Sequence, residues 1–156
     1  MIKIDCKRKS RRSTMNDKLI EVFLNCDLKS SNELFEFIAA KAKVAAPALL
    51  IETLLEREAV GSLFITEQVI LPHLESEQLL KSQVFFITFK QPLLWKAGGT
   101  VKLAIVILLK TDEQPMIKRK IANLTRTFAD EEYLQTLINE KAAVFYQKIK
   151  HLQEEL

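Results

Sequence analysis

The segment VKLAIVILL, residues 101–109, constrains the fold more than any other part of the sequence. It is an almost unbroken apolar run rich in β-branched residues, and Gly98 and Gly99 provide a turn just before it. A strand of this kind has no polar side to face water, so both of its faces must be covered. The segment therefore predicts a central strand of a sheet with helices packed against it.

Shorter patterns predict the remaining elements. Strands are expected at 19–24, in the apolar segment that ends at Pro72, and at 83–89. Helices are expected after Ser30, which has capping-box spacing with Glu33, from Pro47 to a left-handed cap at Gly61, from Asp112, and after Asp130. The predicted order is strand, two helices, three strands and two helices. This order indicates an α/β fold, a single layered domain with a central mixed β-sheet flanked by helices.

The basic charge of the chain is concentrated near its start. Residues 7–12, KRKSRR, carry five basic side chains, whereas the formal net charge of all 156 residues is only +3. We expect residues 1–16 to be a basic, disordered leader and residues 17–150 to be the functional domain with a C-terminal helix. A net charge of +3 gives no support for nucleic-acid binding by the domain.

The cysteines and the hydropathy pattern bear on the cellular location. Cys6 and Cys26 are the only cysteines, and they lack CxxC spacing and an accompanying histidine cluster. We therefore expect neither a metal site nor a disulfide framework, and a cytoplasmic location. No apolar run approaches the ~20 residues of a membrane span, so no membrane insertion is expected.

The stretch QVILPHLESEQ, residues 68–78, holds one of the two histidines. His73 follows an apolar segment and a proline, and is either an ordinary loop residue or displayed for chemistry. A neutral imidazole is a nucleophile toward phosphorus as well as a proton carrier. Glu75 and Glu77 form a solvated rim, and His151 is expected to be exposed in a charged tail. The sequence has no GxxxxGK[ST] loop and no GxGxxG turn, so no nucleotide cofactor is expected.

Arg57 is the candidate partner for a phosphorylated His73. The planar guanidinium matches phosphate oxygens better than an ammonium does. Arg57 lies in LLEREAVGS, near the end of the second predicted helix, and a chain reversal at Gly61 would bring it toward the following strand. The other interpretation is an ordinary surface charge.

These residues together resemble the enzyme IIA domains of the sugar phosphotransferase system, in the mannitol/fructose class. That family reads L-x-x-R-E-x-x-x-S-T-G-I-G-x-G-I-A-I-P-H, and six positions here are in register without a gap: Arg57, Glu58, Ser62, Ile65, Pro72 and His73. QPLLW, VKLAIVILL and IANLTRTFADEEYLQTL also resemble the family. The resemblance implies that the phosphocarrier protein HPr phosphorylates His73, which passes the group to a cysteine of a IIB domain. It further implies that Arg57 steadies the phosphoryl group and that Ser62 lies in its environment.

The sequence departs from the family at two places. Where the family has threonine and three glycines, this chain has Leu63, Phe64, Thr66 and Gln68, which predicts an altered phosphate cradle. Many members carry a second active-site histidine, and its position aligns with Ile117. Lys118, Arg119 or Lys120 would have to supply positive charge there, unless they are merely solvated. A sugar-transport relay, a regulatory phosphorylation switch and a binding module that never carries phosphate therefore all stay open.

Overall fold

The computed structural model describes residues 7–8, 18–96 and 98–156. Seven strands form one sheet: β1 (Lys7–Arg8), β2 (Ile20–Cys26), β3 (Phe64–Thr66), β4 (Val69–Ile70), β5 (His73–Ser76), β6 (Gln83–Leu94) and β7 (Thr100–Lys110). The strands follow the order β1-β2-β6-β7-β4-β3, and β5 also pairs with β7. β2 runs parallel to β6, β6 antiparallel to β7, and β4 and β5 parallel to β7. The sheet is therefore mixed, as predicted.

Five helices complete the described part of the chain: α1 (Ser31–Lys41), α2 (Pro47–Val60), α3 (Pro115–Phe128), α4 (Glu131–Ile138) and α5 (Ala142–Glu154). Two buried apolar clusters lie on opposite faces of the sheet. The first contains the buried side chains of α1 and α2, and the second those of α3, α4 and α5. In β7, the side chains from Leu103 to Leu108 are at most 6% exposed. The prediction of a central strand covered on both faces, in a single α/β domain, is confirmed.

Local signals predicted several helix boundaries correctly. The Ser30 hydroxyl accepts a hydrogen bond from the Glu33 amide at 3.1 Å, and Asp130 caps α4 through the Tyr133 amide at 3.0 Å. Pro47 occupies the first turn of α2. Side chains that accept from otherwise unpaired amides favour a helix start at these points.

Three features of the predicted fold were wrong. Gly61 ends α2 with φ 174°, which is extended backbone and not the left-handed cap. The strand before Pro72 ends ahead of the proline as predicted, but the prediction lacked β5, which begins at His73 and pairs with β7. The predicted last helix is two helices, α4 and α5, because the chain leaves helical geometry at Asn139, whose side chain bonds the Gln135 carbonyl at 2.8 Å.

The expectation of no disulfide was also wrong, since Cys26 is disulfide-bonded. Cys26 lies at the end of β2, and no CxxC spacing in the sequence marks it for a disulfide. Cys6, the only other cysteine, lies outside the described residues. So does most of the predicted leader, apart from Lys7–Arg8, and the leader stays a prediction. No helix in the described ranges is long and apolar enough to cross a membrane.

Candidate functional site

His73 lies where an edge of the sheet is interrupted. Pro72 has no N–H, so it cannot donate to the ladder with β7. Its carbonyl still accepts from the Ile107 amide at 3.0 Å, and β5 then continues with His73 opposite Ile107. The proline therefore separates β4 from β5, while its carbonyl keeps the chain hydrogen-bonded to β7. His73 is the exposed first residue of β5.

The hairpin of β3 and β4 brings the end of α2 to the same edge. Phe64 pairs with Ile70, and the Leu71 amide donates to the Leu63 carbonyl at 2.8 Å. Leu63 and Leu71 are therefore joined across the hairpin, and Gly61 and His73 each lie two residues further along their segments.

Arg57 lies in the last turn of α2, and its Nη1 donates to the Gly61 carbonyl at 3.5 Å. Its side chain is half-buried. No hydrogen bond joins Arg57 to His73 among the residues that the structure describes. The neighbouring Glu58 holds Lys96 in an ion pair at 3.8 Å, whereas Arg57 has no carboxylate partner in the described ranges. Its guanidinium consequently has donors that no described carboxylate occupies.

The imidazole of His73 is oriented by its own backbone. Nδ1 lies 3.0 Å from the Leu71 carbonyl oxygen. A carbonyl only accepts, so this contact assigns the proton to Nδ1. The lone pair of the neutral ring is then on Nε2. The nucleophilic nitrogen is therefore Nε2.

The loop before His73 has larger residues where the family pattern has glycines. Gln68 turns the β3–β4 hairpin with φ 65°, in the left-handed region, and its carbonyl accepts from the Lys102 amide at 2.8 Å. The ring of Phe64 packs edge-on against Trp95, with centroids 6.4 Å apart. It also fills the space beside Gly99, where an added Cβ would lie 3.2 Å from it. Ser62 Oγ accepts from the Phe64 amide at 3.1 Å, so that amide is already paired.

The first turn of α3 packs on the sheet face from which His73 projects. His73 pairs with Ile107, and its side chain therefore projects from the same sheet face as those of Leu71 and Ile107. Ile117 packs against the buried cluster that contains both of these residues. The position that aligns with the family's second histidine is therefore apolar and partly buried here. Lys118 and Arg119 are exposed and Lys120 is half-buried.

The turn that leads into α3 is fixed by Glu113. Burial raises the pKa of its carboxyl, but hydrogen bonds from Ser82 and from the Gln114 amide lower the pKa by more than burial raises it. The pKa of Glu113 therefore lies below its usual value. The Gln114 amide donates to Glu113 Oε1 at 2.9 Å. A charged carboxylate thus orders the chain just before the helix begins.

The other candidates are where the sequence predicted them. Glu75 and Glu77 are exposed along and after β5, and the exposed His151 on α5 lies 3.2 Å from Glu155. No group of metal-ligating side chains occurs within the described parts of the chain. Sequence reasoning missed the Leu71 carbonyl as the group that orients His73. The only related signal in the sequence was Pro72, which interrupts the strand between Leu71 and His73.

Several solved structures have a similar fold, and three of them are compared with this chain. The nitrogen regulatory protein IIA-Ntr from Neisseria meningitidis has 20% identity and a TM-score of 0.65, covering 87% of this chain and 93% of that chain. IIA mannitol from Escherichia coli has 20% identity and a TM-score of 0.58, with coverage of 85% and 94%. The Escherichia coli complex of IIA mannitol with phosphorylated IIB mannitol has 16% identity and a TM-score of 0.58, with coverage of 94% and 99%.

Sequence comparison identifies the family directly. No curated protein sequence matches this chain significantly. A family model does match, over residues 16–151, and its description is phosphoenolpyruvate-dependent sugar phosphotransferase system, EIIA 2. This chain belongs to the EIIA type 2 family of the sugar phosphotransferase system.

Proposed function

We propose that this protein is a cytoplasmic phosphocarrier in which His73 accepts a phosphoryl group from HPr and passes it to a cysteine of a IIB partner. The observation that carries the proposal is the exposed residue His73, whose Nδ1 is held by the Leu71 carbonyl at 3.0 Å so that the lone pair of the ring is on Nε2. In this proposal residues 17–150 are the carrier domain and residues 1–16 are a leader. The chemistry needs no cofactor.

The acceptance step begins with the lone pair on Nε2. It attacks the phosphorus of phosphorylated HPr, so that a bond from phosphorus to Nε2 forms while the bond to the donor imidazole breaks. The electron pair of the broken bond returns to the donor nitrogen. The ring of His73 then carries a positive charge, because Nδ1 keeps its proton. The Leu71 carbonyl stabilises this charge through a charge-assisted hydrogen bond.

Arg57 acts on the phosphoryl oxygens in this proposal. The charge on these oxygens must be stabilised while the group moves between two nitrogens, and positioned donors do this without reorganisation. The hairpin of β3 and β4 supports the assignment, because it joins Leu63 to Leu71, two residues from Gly61 and from His73, and Arg57 bonds to the Gly61 carbonyl. Ser62, one residue further along the same loop, belongs to the phosphate environment.

In the onward step the phosphoryl group leaves Nε2 of His73 for the IIB partner. A cysteine thiolate of the IIB partner attacks the phosphorus, the bond to Nε2 breaks, and the electron pair returns to the ring. His73 is then neutral again with its proton still on Nδ1, so the cycle transfers no net proton. IIA mannitol from Escherichia coli has been solved in complex with phosphorylated IIB mannitol, which makes a IIB domain the natural acceptor to test.

The direct test uses enzyme I, HPr and phosphoenolpyruvate as the phosphoryl source. We expect an acid-labile, base-stable adduct on the wild-type protein and none on a His73→Ala variant. His151→Ala removes the other histidine, which is exposed on α5, and should leave labelling unchanged. A His73→Ala variant that still accepts the label would refute the assignment. A wild-type protein that never accepts it would favour a binding module that carries no phosphate.

A second candidate function is a regulatory switch, in which phosphorylated His73 changes the activity of a regulator. Ile117 favours it, because the side chain on the α3 side of His73 packs into the apolar cluster and offers neither a proton nor a hydrogen bond. We therefore expect phosphorylation to be faster than onward transfer. Comparing the rate from HPr with the rate to candidate IIB domains tests this, and fast transfer in both steps would restore the plain relay.

A further inference from the structure

Three neighbouring strands depart from regular pairing at the same level of the sheet. Two residues of β2, Leu24 and Asn25, lie opposite Thr88 of β6, where regular pairing would place one residue. Four residues of β6, at positions 89–92, lie opposite Lys102 of β7. Bulges of this kind redirect side chains and are common beside functional sites. This level of the sheet is therefore a candidate binding site.

The hydrogen bonds of β7 show the irregularity at Lys102 directly. The amides of Lys102 and Leu103 both donate to the Gln68 carbonyl, at 2.8 Å and 3.3 Å. In a regular strand, successive side chains point to opposite faces of the sheet. A bulge re-aims the side chain of the extra residue. This accounts for Lys102 lining the same cavity as its neighbour Leu103.

A cavity of about 260 Å³ lies between the irregular strands and the junction of α4 and α5. This volume is just below the range of about 300–1,000 Å³ that holds drug-sized ligands, so the cavity suits a smaller molecule. Most of its wall is apolar, and burial of an apolar ligand surface there is favourable. The apolar wall consists of Leu24, Phe89, Leu103, Leu137, Ile138 and Phe145.

Three polar side chains of the same wall have hydrogen-bond donors to offer. They are the ammonium of Lys102, the hydroxyl of Thr88 and the carboxamide of Asn25. Thr88 Oγ1 accepts from the Asn25 amide at 2.9 Å, which leaves its hydroxyl hydrogen to donate. Within the described ranges, the side chains of Lys102 and Asn25 have no hydrogen-bond or ion-pair partner. Such a set of donors favours a negatively charged oxygen.

The charge of the wall indicates which anion fits. Glu140 also lines the cavity, but its carboxylate is paired with Lys148. The half-buried ammonium of Lys102 is therefore the uncompensated charge of the wall. A monoanion balances this charge, whereas a phosphate dianion would bring excess negative charge into apolar surroundings. The cavity consequently fits a carboxylate better than a phosphate.

We propose that this cavity binds a small amphipathic carboxylate, whose carboxylate contacts Lys102 and Thr88 and whose apolar chain lies against Leu103 and Phe145. The charge-assisted hydrogen bond to Lys102 orients the ligand, and burial of the apolar chain supplies the remaining affinity. This binding activity goes beyond the carrier function and does not depend on it. Its tests measure binding without phosphorylation of His73, so the two proposals stand or fall separately.

The first experiment measures the binding of four probes to the full chain by NMR titration: octanoate, acetate, 1-octanol and octyl phosphate. Acetate lacks the apolar chain, 1-octanol lacks the charge, and octyl phosphate carries a second charge. We expect octanoate to have a Kd about tenfold lower than those of acetate and 1-octanol, and lower than that of octyl phosphate. The amides of Asn25, Thr88 and Lys102 should shift. Equal Kd values for octanoate and 1-octanol, tighter binding of octyl phosphate, or shifts confined to other amides would overturn the proposal.

A charge variant tests the role of Lys102. Lys102→Met keeps most of the apolar stem and removes the ammonium, so it should raise the Kd of octanoate about tenfold and leave that of 1-octanol unchanged. Lys90→Met is the matched control, since Lys90 is an exposed cation in the irregular stretch of β6 and is not part of the cavity wall. This control should keep the preference for octanoate. An equal loss in both variants would show that general positive charge attracts the probe, and would refute the assignment of Lys102.

A steric variant tests the cavity itself. Ala142 is exposed at the start of α5 and lines the cavity, so the indole of Ala142→Trp should fill the space without disturbing the core. We expect octanoate and 1-octanol both to bind about tenfold more weakly. Ala143→Trp, at the next exposed position of α5, is the control and should bind both probes as the wild type does. Unchanged octanoate binding by Ala142→Trp would place the ligand elsewhere and overturn the proposal.

Discussion

The two sides of the His73 edge differ in what they keep of the family pattern. On the α2 side, Arg57, Ser62, Pro72 and His73 occupy the family positions, and the hairpin turn stays left-handed at Gln68 even without glycine. On the α3 side, Ile117 replaces the second histidine, and three consecutive cations follow it. Both sides therefore depart from the pattern, but only the α2 side keeps the proposed acceptor and its arginine. We propose that accepting phosphate and exchanging it with a partner are separable demands on the site.

The largest effect is expected on the retained side, from Arg57→Ala. Loss of a positioned donor for the phosphoryl oxygens should slow phosphorylation by HPr about 100-fold. The Arg57→Lys variant should be phosphorylated at a rate between those of the wild type and Arg57→Ala, since an ammonium keeps the charge but not the two-pronged contact. Phosphotransfer assays that are quenched at timed intervals measure the rates of both variants.

Lys96→Met is the matched control for these variants. Lys96 is a neighbouring cation, but Glu58 holds it in an ion pair at 3.8 Å. If Lys96→Met slows phosphorylation as much as Arg57→Ala does, general positive charge and not the Arg57 fork supports the reaction.

A smaller effect is expected on the changed side, from Ile117→His. The new imidazole would offer a hydrogen bond beside the phosphorylated ring, so onward transfer to a IIB domain should speed up about tenfold. Phosphorylation by HPr should stay the same. Ile117→Val, which keeps the apolar contact, is the control and should change neither rate. An Ile117→His variant that speeds both steps equally would contradict the separation of the two demands.

The smallest effect is expected on the free energy of unfolding, from substitutions in the turn between β3 and β4. Gln68→Gly and Gln68→Ala both lose the 2.9 Å hydrogen bond from Gln68 to Thr100, but only glycine adopts φ 65° without steric cost. The glycine variant should therefore have a free energy of unfolding about 1 kcal/mol higher than the alanine variant. Urea denaturation measures the difference, and equal stabilities would mean that the turn relaxes when its side chain is removed.

Much of the fold follows from local patterns in the sequence. The apolar run of β7 and the helix caps at Ser30 and Asp130 depend on residues close together in the chain. The sequence alone therefore predicted them. The candidate site residues came from the register of Arg57 with His73 in the family pattern. The chain reversal at Gly61 was anticipated, although its backbone conformation was not.

What could not be predicted depends on pairing between distant segments. β5 exists because β7 offers it an edge to pair with, and its four residues carry no strand signal of their own. The Leu71 carbonyl orients His73 only because Pro72 bends the chain between two paired strands. The disulfide of Cys26 and the break between α4 and α5 likewise depend on tertiary contacts.

The central claim is that Nε2 of His73 receives the phosphoryl group while Nδ1 keeps its proton. Nitrogen NMR of the histidine ring, recorded before and after phosphorylation by HPr, tests this most directly. We predict that phosphorus couples to Nε2 and that the proton on Nδ1 remains, held by the Leu71 carbonyl. Phosphorus bonded to Nδ1, or attached to any residue other than His73, would contradict the claim.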